Sequence, residues 1–497
     1  MGRTAYQRLE DRFRRILALG DIEAVLHWDL ATMMPKGGAA ARGDQLALLR
    51  SMRHGMITAP EMEDLLGSAD AEPDPDPWRK ANLREMRRAW AHATALTERQ
   101  VEALSRSVSA CETKWRSARA DDDFGAVLPE LATVVELVRE TAAAKSERLG
   151  LSPYDALLDE YEPEGRSSDI DRLFADLEAF LPDFLANVLE HQASAGPPES
   201  PEGPFPIEKQ RELGVRFMEG LGFDFHHGRL DVSLHPFCGG TPDDVRITTR
   251  YDETDFTSAL MGVLHETGHA LYERGLPARR RGQPVGQARG MAMHESQSLL
   301  IEMQVCRSRE FLGFAAPIMR SVLAGRGPSW EADNLYRLYT RVQPGFIRVD
   351  ADEVTYPAHV ILRYNLERAM IAGDLEPADL PAAWNEGMRR LLGRAPPNDR
   401  LGCLQDIHWY DGAWGYFPTY TLGAMTAAQF FDAAVRAEPA IKPGIATGDF
   451  APLMGWLRDN VHGKGSLLSS RDLLIEATGG PLDPEIFKTH LKRRYTQ

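Results

Sequence analysis

Two histidines four residues apart, His265 and His269, bracket a glutamate, Glu266, in the run Leu264-His265-Glu266-Thr267-Gly268-His269-Ala270-Leu271-Tyr272. On a helix, residues four apart share a face about one turn apart. Both imidazoles can therefore reach one tetrahedral cation. Glu266 is turned about 100° from His265, so it can stand beside such an ion and take a proton from water without being a ligand. The competing explanation is a chance match on an ordinary core helix. A buried histidine pair around a buried carboxylate is costly without a cation to satisfy it. The preceding run Ser258-Ala259-Leu260-Met261-Gly262-Val263-Leu264 is apolar enough to put the helix in a core. A metal centre is the expectation.

A catalytic ion of this kind takes a third protein ligand and leaves one position open. A third histidine six residues beyond the pair is absent: Gly275 holds its place, and Tyr272 that of the glycine before it. The next helical stretch, 291–311, offers His294, Glu295, Glu302 and Glu310. Glu295 and Glu302 are seven residues apart, about 10 Å along a helix axis, so the two do not bind one ion together. Spacing favours Glu295, near the start of the stretch among Ser296, Gln297 and Ser298. Glu302, between Ile301 and Met303, reads as an acid behind the ligands or as a surface residue.

The elements that must position these groups are helical. Residues 6–30 carry apolar side chains at three and four spacing, and 78–119 and 124–149 are long amphipathic runs with few breakers. Breakers gather at 68–77 and at 193–206. Strand-like alternation occurs only around 230–235 and 245–249, which we expect to pair as a small antiparallel sheet near the site. The expected fold is mainly α, in one domain spanning 1–497. Its N-terminal helical lobe is about 1–195 and its catalytic lobe about 207–497, with 193–206 read as a surface loop between them.

Composition narrows the partners. The 497 residues carry 57 Lys and Arg against 73 Asp and Glu, a formal charge of −16. That balance argues against nucleic-acid or anionic-membrane partners, which require a basic face. No apolar run approaches a membrane span, and residues 1–10 do not resemble a secretory signal. Four scattered cysteines, Cys111, Cys238, Cys306 and Cys403, form no metal-type pair and read as reduced thiols. Cytoplasm is the expected compartment.

Several separated motifs, in order, resemble the carboxypeptidase Taq family of metallocarboxypeptidases over nearly the whole chain. They are His235-Pro236-Phe237; Asp244-Val245-Arg246-Ile247-Thr248; the run 265–269; His294-Glu295-Ser296-Gln297; Ile347-Arg348-Val349-Asp350-Ala351-Asp352; and Gly402-Cys403-Leu404-Gln405-Asp406-Ile407-His408-Trp409. Leu26-His27-Trp28-Asp29 and Met33-Met34-Pro35 are similar to the family's opening. The resemblance implies a helical peptidase fold with a deep central groove, a homodimer, and release of single residues from peptide C-termini. It also implies Glu295 as the third ligand of one divalent ion per subunit, zinc or alternatively cobalt.

On that basis Glu266 is the expected general base. His408 and Tyr420 are expected to assist at the oxyanion, with Tyr410 and Tyr416 in the same aromatic segment. A guanidinium suits a terminal carboxylate because it donates two parallel hydrogen bonds; Arg348 is the choice. Asp350 and Asp352 are candidates to orient it, and a structural salt bridge is the competing role. His235 and Arg246 are expected to line one end of the groove. Two other activities fit the same motif: a helical zinc endopeptidase or oligopeptidase, which needs no carboxylate clamp, and an inactive metal-bound peptide-binding protein, which needs no Glu266.

Overall fold

The computed structural model describes residues 2–73 and 76–496; Met1, Asp74, Pro75 and Gln497 lie outside it, so the breaker-rich stretch 68–77 is described only in part. Twenty α-helices and one three-stranded sheet form the regular structure among the described residues. The first helix, Ala5–Thr32, opens with a capping box in which Thr4 and Gln7 satisfy each other's backbone N–H. Residues 124–149 form one helix, Phe124–Leu149, closed by a left-handed Gly150. The run 78–119 differs from expectation: Pro77–Thr94 and Glu98–Asp121 are separate helices. A second capping box, Thr97 with Gln100, starts the latter; this polar stop lies inside an otherwise continuous amphipathic period.

Two large cores hold the helices together. In one, Val134, Leu177 and their neighbours pack with Leu362, Trp384, Trp409 and Leu491 from far along the chain. The other gathers Leu264, Leu300, Phe311 and Leu453 around the motif helix. A smaller cluster packs Leu9 and Phe13 against Met62 and Met86.

The sheet is mixed, which corrects the antiparallel expectation. Its strands are β1 (Gly228–Val232), β2 (Phe237–Thr241) and β3 (Asp244–Thr249), in the order β1-β3-β2. The two alternating segments, β1 and β3, pair in parallel, Leu230 opposite Ile247. The strand missing from the sequence pattern is β2, which turns back on β3 as a tight hairpin. Its Gly239-Gly240 pair has no alternation to read, and Gly240 sits at φ +84°. Leu230, Val245 and Ile247 pack on Val263 and Ala270 of the motif helix, which sets the sheet beside the histidines.

That helix, Phe256–Gly275, is capped by Asp255, whose Oδ1 accepts from the Thr257 N–H at 2.8 Å. Leu260, Val263, Leu264, Ala270 and Leu271 are all buried, each Leu or Val contributing about 1.5–3 kcal/mol relative to exposure. Its partner is Met291–Leu299, which crosses at Gly268. A Cβ there would lie 2.5 Å from the Gln297 carbonyl oxygen, so only glycine allows this approach. The stretch 291–311 is not one α-helix: Leu300–Cys306 is π-helical, and a new helix, Arg309–Val322, starts at a Ser308 cap.

Candidate active site

The helix crossing brings His265, His269 and Glu295 together, with one ligand atom of each within 4.8 Å of the others. Glu295 Oε2 is 4.0 Å from His265 Nε2 and 3.6 Å from His269 Nε2. Donors about 2.0–2.1 Å from a tetrahedral ion stand about 3.3 Å apart, so the three converge on a cation-sized space. Both outer imidazole nitrogens are held from behind. His265 Nδ1 lies 2.9 Å from Glu302 Oε2, and His269 Nδ1 lies 3.1 Å from the His294 carbonyl oxygen. This leaves each Nε2 lone pair aimed inward. Gly423, on Pro418–Ala437, closes the other side; a Cβ there would lie 2.8 Å from Glu295 Cβ.

The electrostatics demand a positive charge at this point. Burial disfavours a charged His265, yet its hydrogen bond to Glu302 and the nearby Glu295 and Glu266 push it up to about 10. Burial keeps His269 neutral. A divalent cation between two imidazoles and a carboxylate meets the same demand, so these residues fit a metal. Burial lifts Glu266 to about 7, with His265 opposing and Glu295 adding to the rise. A carboxylate poised near neutrality suits proton transfer at the operating pH. Burial works against an ionised Glu302, but Arg307, 2.6 Å away, and His265 hold it below the usual carboxylate range.

The remaining carboxylates of the stretch lie apart from the three donors. Glu302 is buried behind His265 and is not a surface residue. Glu310 sits on the separate helix Arg309–Val322 and pairs with Lys442. His294 turns away, its Nε2 2.8 Å from Glu273 and its Nδ1 2.7 Å from His269 Nδ1.

Arg348 is buried, and its charge acts on Glu295. Its guanidinium donates from Nε and NH2 to Asp406 Oδ1, at 3.1 and 2.8 Å, and from NH1 to the Tyr356 hydroxyl at 2.9 Å. It lies 4.8 Å from the centre of the Tyr420 ring. The acid that orients it is thus Asp406, not Asp350 or Asp352. Asp350 is exposed, and Asp352 accepts from the Gln343, Val354 and Thr355 N–H groups instead. His408 Nε2 meets the Tyr420 hydroxyl at 3.2 Å. Burial, with Arg348 adding to it, draws His408 down to about 4, so the ring is neutral. Tyr416 packs edge-on against Tyr161, and Tyr410 bonds the Cys403 carbonyl.

His235 is exposed in the bend after β1, where its carbonyl accepts from Ser233 Oγ. The adjoining Pro236 reaches to 4.0 Å from a Cβ position on Gly262, one turn before His265. Arg246 is committed to Asp244, and with Arg229 it stacks on Trp28 of the first helix, 4.5 and 4.7 Å from the ring.

Sequence reasoning missed Arg363, Tyr356 and the work of Asp406. Arg363 and His359 both lie in the helix Tyr356–Ala372, and an arginine set in the apolar run Val360-Ile361-Leu362-Arg363-Tyr364 was the available signal.

Three convergent donors with a buried carboxylate beside them, in a largely helical shell, make the site of a metal-dependent hydrolase. The model of the Carboxypeptidase Taq (M32) metallopeptidase family matches residues 8–495. Thermostable carboxypeptidase 1 of Thermus thermophilus is 39% identical, the match covering 99% of this chain and 98% of that protein. Thermostable carboxypeptidase 1 of Pyrococcus furiosus is 35% identical, with 97% of each covered. Among solved structures, metallocarboxypeptidase 1 of Trypanosoma cruzi superposes with a TM-score of 0.97 at 41% identity, covering 99% of both chains. The chain belongs to the carboxypeptidase Taq family and is a metallocarboxypeptidase, a peptide hydrolase. Membership implies a divalent metal ion. No helix among the described residues is long and apolar enough to cross a membrane.

Proposed function

We propose that the protein removes single residues from peptide C-termini, with His265, His269 and Glu295 as metal ligands, Glu266 as general base and Arg348 as the group that receives the terminal carboxylate. The observation that carries this reading is the proximity of a buried arginine to the three-donor site, since an endopeptidase needs no cation there. A divalent ion at the three donors supplies a Lewis acid that polarises the scissile carbonyl and acidifies water. Glu266 takes the proton of the attacking water and returns it to the departing amine. Tyr420, its hydroxyl shared with neutral His408, donates a hydrogen bond to the developing oxyanion. Arg348 fixes the register by holding the last carboxylate. His235 and Arg246 border the substrate path from the sheet side.

We infer zinc as the ion, with cobalt able to occupy the same two-nitrogen, one-oxygen set. Four free cysteines support a reducing compartment, the cytoplasm. Exposed Met33, Leu48 and Met52 in the N-terminal helical region support pairing as a homodimer. We take 1–497 as a single domain of two lobes, about 1–195 and about 207–497, a reading supported by the core that joins Leu177 to Leu362 and Leu491.

The test is mass spectrometry of a defined peptide incubated with metal-loaded protein. A ladder of products shortened one residue at a time from the C-terminus is expected. Internal fragments, or equal cleavage of the free-acid and C-terminally amidated peptides, would replace this reading with an endopeptidase.

A further inference from the structure

Behind Arg348 lies a second, wholly buried arginine that touches no open space. Arg363 donates from Nε to Asp406 Oδ2 at 2.6 Å, from NH1 to the His359 carbonyl at 2.8 Å and from NH2 to Gln405 Oε1 at 2.7 Å. Gln405 Oε1 also accepts from the Arg348 backbone N–H at 2.8 Å. The pair Gln405-Asp406 thus binds both arginines, and every nitrogen of Arg363 is committed. Arg348 makes the same number of side-chain bonds, with three of its five guanidinium N–H groups. Its side chain keeps some exposure, however, 6% against none for Arg363, so its two remaining N–H groups are the ones a carboxylate can take as a bidentate pair.

The charges do not cancel. Arg348 and Arg363 carry two positive charges, and Asp406 between them carries one negative. The other titratable groups against them are neutral: burial draws His408 down to about 4 and His359 to about 3, and it raises the Tyr356 and Tyr420 phenols. Burial and the charge of Arg348 bring Arg363 down to about 10, still charged at neutral pH. Glu295 also faces Arg348, but as a metal ligand its charge is spent on the cation. A buried excess charge is costly unless something pairs with it. If Arg363 were neutral, Asp406 would cancel Arg348, and an incoming carboxylate would meet a seat with no net attraction.

We propose that Arg363 is a positioning and specificity residue: through Asp406 it keeps the seat around Arg348 one positive charge in excess, and the terminal carboxylate of the peptide supplies the missing negative charge. This rests on Arg348 as the carboxylate receiver. A purely structural role, tying Tyr356–Ala372 to the 402–409 loop, predicts something different.

The experiment measures kcat and KM for one blocked peptide as free acid and as C-terminal amide. The proteins are wild type, Arg363→Gln, Arg363→Lys and Asp406→Asn, each checked for metal content and melting temperature. Arg363→Gln keeps a donor but removes the charge; the acid-to-amide ratio of kcat/KM should fall about ten- to hundredfold, the scale of one partly screened charge, chiefly through KM. Arg363→Lys should keep most of the ratio. Asp406→Asn keeps an oxygen for Arg348 while raising the net charge, so its ratio should stay level or rise. A structural network instead predicts that neutralising either partner moves the ratio the same way, and that outcome overturns the proposal. Should Arg363→Gln fail to fold, the sign of the Asp406→Asn change decides alone. A wild type that ignores the difference between acid and amide overturns the Arg348 reading itself. A wild type that discriminates, beside an Arg363→Gln that discriminates equally, overturns only the role of Arg363.

Discussion

Glu302 makes no contact with the expected ion position, yet replacing it by glutamine should weaken metal binding. Its two oxygens serve two donors, His265 at 2.9 Å and Arg307 at 2.6 Å. Glutamine keeps the shape but has one oxygen, so either the imidazole or the guanidinium must face an NH2 group. The side chain is buried, so little solvent screening reduces the loss. A hydrogen bond to a charged group contributes about 1.5–3 kcal/mol, or about 10- to 150-fold in affinity. Outer carboxylates of this kind typically change metal affinity by about 10- to 100-fold. The assay is competition between metal-stripped protein and a chelating dye, giving Kd for wild type, Glu302→Gln and Glu295→Ala. Glu295→Ala removes a donor directly and should bind weakest, with Glu302→Gln between it and wild type. At saturating metal, Glu302→Gln should recover most of its kcat. A folded Glu302→Gln with wild-type affinity would refute the claim that this acid orients His265.

Glu266→Gln should retain metal and lose about 10²–10⁴-fold in kcat, measured by steady-state kinetics beside metal analysis; near-normal turnover would remove it as the base. Gly268→Ala should cost about 1–3 kcal/mol or more through forced separation of the two ligand helices, read as a lower melting temperature and a lower metal content together. For pH, Glu302, Glu353 and Asp406 all lie below the usual carboxylate range because of charged partners, against the opposing pull of burial. Their stabilisation is therefore present above the unfolded value near pH 4 and is lost as pH falls through and below it. Glu353→Gln, which removes the charge and leaves one oxygen where two serve His490, Arg494 and Tyr495, should lower the melting temperature at pH 7 and shrink its decline between about pH 5 and 3.

The convergence of His265, His269 and Glu295 on a candidate metal site is legible in part because its signal is local. His265, Glu266 and His269 share one helix whose apolar neighbours announce burial, and Glu295 lies in the next helical stretch. The contact of Glu302 with His265 was not legible, since spacing along a regular α-helix carries no sign of the π-helical segment Leu300–Cys306. The parallel pairing of β1 and β3 was equally hidden, because the strand that completes the sheet carries a glycine pair and has no period. Arg246 shows a different limit. Its stacking partner, Trp28, lies more than two hundred residues earlier, and no local pattern couples the two. The same holds for Asp406, whose sequence motif was visible but whose partners, Arg348 and Arg363, are brought to it only by tertiary packing.

The π-helical segment also makes the site sensitive to the length of the chain. A π turn bonds residue i to i+5 where an α turn bonds i to i+4, so the segment takes up more residues per turn than the α-helix Met291–Leu299 that it continues. Glu295 lies before the π segment and Glu302 within it, and they approach opposite nitrogens of one imidazole. Deleting a single residue from 303–306 would let the helix close to α geometry, rotating the residues beyond the deletion by about 100° and drawing Arg307 away from Glu302. His265, His269, Glu295, Glu266 and Arg348, the residues proposed for the site, would all still be encoded. The deletion variant would look intact by any inspection of its residues and would nonetheless have lost Arg307 as the counter-charge of the Glu302 carboxylate that holds His265 from behind.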